Sequence, residues 1–111
     1  MFSFKQFINE AWEDYENASD ERKAELIKHH EDIANAHSEK EKEHRKVKAG
    51  EPKGLEHKIA ADTHRSAAVA HIHTASAIKY KLHGPAGVNQ FKIDAEKMSK
   101  AAEGRSALAN K

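Results

Sequence analysis

Six of the nine histidines in this 111-residue chain stand at intervals of seven: His30, His37 and His44, then His57, His64 and His71. Imidazole can donate, accept or titrate near neutral pH, and it is a common metal ligand. Seven residues are close to two helical turns, so each trio forms one stripe along a helix. The same spacing works against a shared ion, because residues seven apart are separated by roughly 10.5 Å of rise. The stretch "HEDIA" at His30 is not the H-E-x-x-H zinc motif, and His71 and His73 point to different sides of their helix. Only the region of His29, His30 and His71 brings several rings near one level. The stripes therefore read as a helix seam of neutral rings with no metal, and a His-rich metal-binding protein is the second alternative. Mild acid should charge such a seam and loosen it.

Other chemistry is sparse. The chain has no Cys, no Gly-rich phosphate loop and no G-x-S-x-G elbow. Its Glu and Asp residues fall at helical spacings that suit ion pairs with Lys and Arg. Neither an enzyme nor a cofactor is expected.

The elements that would carry the stripes follow from the breakers. From Ser19 to about Lys48 there is neither Gly nor Pro, and Ser19 followed by Asp20 and Glu21 is an N-cap with acids in the first turn. "AGEPKG" ends that helix, and a second runs from about residue 55 to 82 before "HGPAG". Asn89 is positioned to cap a last helix through about residue 103, with Phe91, Ala95, Met98 and Ala102 on one face. Phe4, Phe7, Ile8, Ala11, Trp12 and Tyr15 give the opening stretch a helical apolar face of its own. The expected fold is all-α: a long antiparallel helical hairpin, about 19–48 and 55–82, with a short N-terminal amphipathic helix and a C-terminal helix.

Two registers fit the hairpin. In one, His30 meets His71, His37 meets His64 and His44 meets His57. In the other, His37 faces Ala67, His44 faces Ala60, His30 faces Thr74, His71 faces Ile33, His57 faces Val47 and Leu26 faces Ile78. The second sets large against small and is the expected arrangement.

Composition limits the core and the partners. The residues are 38% hydrophobic and 33% charged, with much of the apolar share in Ala, so little area is buried per residue. A homo-oligomer would supply more. No apolar run reaches the roughly 20 residues of a membrane span, and no secretory signal is recognisable, so a soluble intracellular protein is expected. Formal net charge is only +1, yet residues 79–111 hold seven Lys or Arg against three acids. That basic C-terminal third could contact DNA nonspecifically, although an ordinary solvated face is the simpler explanation.

Five of the seven aromatic residues, Phe2, Phe4, Phe7, Trp12 and Tyr15, lie in the opening "MFSFKQFINEAWEDY". "MFSFKQFINEA" resembles the capsid-targeting peptide of internal head proteins of T-even-type tailed bacteriophages. That resemblance covers about eleven residues. It implies that residues 1–10 direct the chain to the prohead scaffold or core, and that the prohead protease cuts after Glu10. Ile8 and Glu10 match the Leu/Ile-x-Glu cleavage pattern, and Ala11 is the small residue after it. Residues 11–111 would then be one helical domain. Phe4, Phe7 and Ile8, with Trp12 and Tyr15, would form the targeting or partner-binding face. The implied location is the host cytoplasm during assembly and then the virion interior. The alternative is a helical self-association or partner-binding module without processing, associating through its aromatic N-terminal helix.

Overall fold

The computed structural model describes residues 19–80 and 85–111. The opening aromatic stretch, with Phe4, Phe7, Ile8, Glu10, Ala11, Trp12 and Tyr15, lies outside them. Three helices, α1 (Asp20–Arg45), α2 (Gly54–Tyr80) and α3 (Pro85–Ala109), follow one another in the described residues, and no strand accompanies them. The fold is all-α, with the expected hairpin formed by α1 and α2. None of these helices is long and apolar enough to cross a membrane.

Local chemistry sets the ends. The Ser19 side chain accepts from the Arg22 backbone N–H at 3.1 Å, and Asp20 and Glu21 complement the positive end of α1. At the other end Lys42, His44 and Arg45 stand in the last turn. The helix stops at Arg45, a few residues before the expected Lys48, because the chain must already turn toward Gly54. A Cβ on Gly54 would lie 2.5 Å from the Lys48 carbonyl oxygen and 2.7 Å from that of Ala49, so only glycine permits this closure. Lys53 takes a positive φ of 62° in the same turn. Its ammonium donates to the carbonyls of Leu108 at 3.3 Å and Lys111 at 2.9 Å, which ties the interhelical turn to the end of α3.

The third helix is longer than its sequence signals implied. It begins at Pro85 rather than Asn89, since proline lacks only an N–H that the first turn leaves unpaired. It continues past Gly104 to Ala109, because that glycine meets no crowding and tertiary packing outweighs its weak propensity.

The register is the other of the two. His30 pairs with His71, His37 with His64 and His44 with His57, so the expected offset that set His37 against Ala67 is corrected. Large still meets small, in alternate layers: the same register stands Leu26, Ile33 and Val47 opposite Ala75, Ala68 and Gly54. These three α2 residues are buried. The stripe Ala61, Ala68 and Ala75 then serves α3 as well, in a register that sets it against Ala109, Ala102 and Ala95, all six at most 5% exposed. Alanine on alanine brings the backbones of α2 and α3 close and compensates for small side chains with tight contact. At one end Ile78, Ala77 and Val88 form an apolar plug, with Leu26, Ile27 and Phe91 packed against it.

Candidate functional site

The layers between the alanines are polar. His30, His37, His44, His64 and His71 are each no more than 7% exposed, and His71 is among the largest fully buried side chains. His57, at the end away from the apolar plug, is half-buried. Burying imidazole costs free energy unless its nitrogens are paired, and here they are paired with each other. The Nδ1 atoms meet at 2.9 Å in His30–His71, 2.7 Å in His37–His64 and 2.8 Å in His44–His57. In each neutral pair one ring must donate Nδ1–H and the other must accept, which requires opposite tautomers.

Two α3 serines join the pairs into one column. Ser99 Oγ lies 2.7 Å from His71 Nε2 and 2.9 Å from His37 Nε2. Ser106 Oγ lies 2.6 Å from both His64 Nε2 and His44 Nε2. The six rings also follow one another in close sequence, with centroids 5.2, 6.0, 5.0, 5.7 and 5.0 Å apart along His30, His71, His37, His64, His44 and His57, stacked except at the tilted His37–His64 and His44–His57 contacts. The α1 and α3 backbones scarcely approach, so side chains make their link: these histidine–serine hydrogen bonds, with the apolar plug at one end.

Burial makes the rings weak bases. His30 is pushed down to about 4, first by desolvation and then by the charges of His71, His29 and Lys92. His64 is likewise held at about 4, by burial and then by His37, His44 and Lys40. Burial also lowers His37, His44 and His71, with Glu103 opposing at His37 and Glu43 at His44. These five rings are accordingly neutral at pH 7.

Each of the six predicted seam histidines lies in the column, although each meets another histidine and not the residue that the expected register set opposite it. The Nδ1 atoms that face across each layer are engaged with one another, and no three His, Asp or Glu side chains among the described residues converge as a metal set. Sequence reasoning missed Ser99 and Ser106. Their own seven-residue spacing, shared by Ala95, Ala102 and Ala109, was the available signal. Surface charges behave conventionally: Arg45 bonds Glu41 at 2.7 Å and reaches across to Asp62 on α2 at 3.0 Å. Comparison with protein-family models, curated proteins and solved structures returns no match for this chain.

Proposed function

We propose that the chain is a non-enzymatic internal head or prohead-core protein of a tailed bacteriophage, targeted by its opening peptide and cleaved after Glu10. The observation that carries this reading is "MFSFKQFINEA", with its aromatic face and the Ile8-Asn9-Glu10 triplet followed by Ala11. Phe4, Phe7 and Ile8 would anchor as a helix in a groove of the scaffold, with Trp12 and Tyr15 extending the same face. The partners are then the prohead core and its protease. The mature body would reside inside the virion, its basic C-terminal third against packaged DNA.

The architecture suits such a role, because α1, α2, α3 and the histidine column are all built from residues downstream of the cut. Incubation of the full chain with a T-even-type prohead protease tests the reading. The expected product begins at Ala11, and E10Q should block it; a chain that stays intact, or is cut elsewhere, contradicts the proposal.

One observation favours self-association as a second reading. Ile27, Ala34, Ile72, Ala75 and Tyr80 line a groove between α1 and α2, with Ile72 48% and Tyr80 62% exposed. Sedimentation of the full chain discriminates: a concentration-dependent dimer lost in I72K supports it, and a monomer removes it.

A further inference from the structure

The column has a countable proton capacity. Read end to end it runs His30, His71, Ser99, His37, His64, Ser106, His44, His57. In the neutral state each ring carries one N–H and one bare nitrogen, so wherever a serine donates along the column the donor direction on one side of it fixes that on the other. Lys92 stands in the same sequence offset from His30 as Ser99 from His37 and Ser106 from His44. Its charge opposes protonation of His30 at that end of the column.

Added protons have two distinct effects. A pair that gains one proton has three hydrogens on four nitrogens. It keeps its Nδ1–H···Nδ1 bond and turns both Nε2–H groups outward. Each serine can accept from both sides, since its oxygen has two lone pairs, while its own hydrogen turns to the carbonyl four residues back. Ser66 already bonds Asp62 O in that way. A second proton on the same pair sets N–H against N–H and places two charges on adjacent rings. No rotation or tautomer relieves that clash, and the layer must part.

We propose that the column is an acid-operated latch that stays closed with one proton on each histidine pair and opens when a pair receives its second, releasing α1 and α3 from α2. His57 is the entry, because it alone of the six is not buried, and the hydrogen-bonded chain carries protons inward from it. Lys40 and His29 of α1 and Lys92 of α3 oppose charging, whereas Glu41 and Glu43 of α1 and Glu103 of α3 favour it. The α2 groups facing the column are its own His57, His64 and His71. The latch stands on the described helices alone and is independent of the phage assignment.

Imidazole 15N shifts of the full chain, followed by NMR from pH 8 to 3.5 alongside the amide signals of α3, test it. The expected course is a folded intermediate with three of the six column rings charged, followed by one cooperative opening that takes up the other three. H57Q removes the second proton site from the outermost pair and should move the opening to lower pH. H73Q, on the exposed side of α2, should not move it. Opening on the first proton, all six rings charged in a closed bundle, or an opening unmoved by H57Q would each overturn the latch.

Discussion

His37 and His64 meet Nδ1 to Nδ1 at 2.7 Å, yet their outer nitrogens reach different serines, Ser99 for His37 and Ser106 for His64. This central pair is thereby coupled to the layers above and below it. The consequence is that a single hydroxyl should matter more than its size suggests.

Ser106→Ala removes the partner of two buried nitrogens, one on His44 and one on His64. Leaving such groups unpaired costs about 1–3 kcal/mol each at most, and rearrangement will recover part of it. A loss of about 2 kcal/mol in urea unfolding at pH 7.5 is expected. Ser66→Ala removes only a bond to the carbonyl of Asp62 on an exposed face and should change stability by less than about 0.5 kcal/mol. Equal effects would contradict the bridging role.

Within a pair the two partners should be strongly non-additive. His64→Ala leaves a cavity and strands His37 Nδ1, at about 2–4 kcal/mol. The double variant H37L/H64L replaces both polar groups by apolar ones of similar volume, and should recover at least half of that loss. A double variant less stable than the single would show that the layer requires the histidine hydrogen bond itself.

The pH dependence has a definite sign. The folded-state pKa values of His30 and His64 lie near 4, and those of His37, His44 and His71 are also below 6.5. The unfolded chain therefore binds more protons than the folded one in this range. Stability is full above about pH 6.5 and falls as pH drops toward about 4, by several kcal/mol in sum. Thermal melts at pH 7.5, 6.0 and 5.0 should show a progressive decline, smaller in H37L/H64L. A flat profile would contradict the buried neutral column.

The alanine layers should resist enlargement. Ala102 is fully buried, in register with Ala68, so Ala102→Leu should cost about 1–3 kcal/mol or force α3 outward. Its exposed neighbour Ala101 should accept leucine within about 0.5 kcal/mol. Paired denaturant titrations of the two variants check this.

Much of the architecture was legible because its cues are local. Ser19, Gly54 and the seven-residue histidine spacing mark the cap, the closure and the seam without reference to any other helix. The register was not legible in the same way. Choosing it by volume favoured His37 against Ala67, whereas hydrogen bonding between neutral imidazoles of opposite tautomer, completed by a third helix, decided for His37 against His64. Ser99 and Ser106 were passed over because serine carries no hydrophobic signal, and α3 was read from Phe91 and Met98 instead. Pro85 and Gly104 misled the helix limits: proline costs little at a first turn, and the cost of the exposed Gly104 is outweighed by the burial of Ala102 and Ala109 on either side of it.

The phage assignment rests on the opening peptide, and the intact mass of the protein recovered from mature particles tests it most directly. The account predicts a chain that begins at Ala11 and retains everything from α1 onward. A full-length chain in the mature particle would contradict processing after Glu10 and recast Phe4, Phe7, Trp12 and Tyr15 as permanent packing or partner-binding residues.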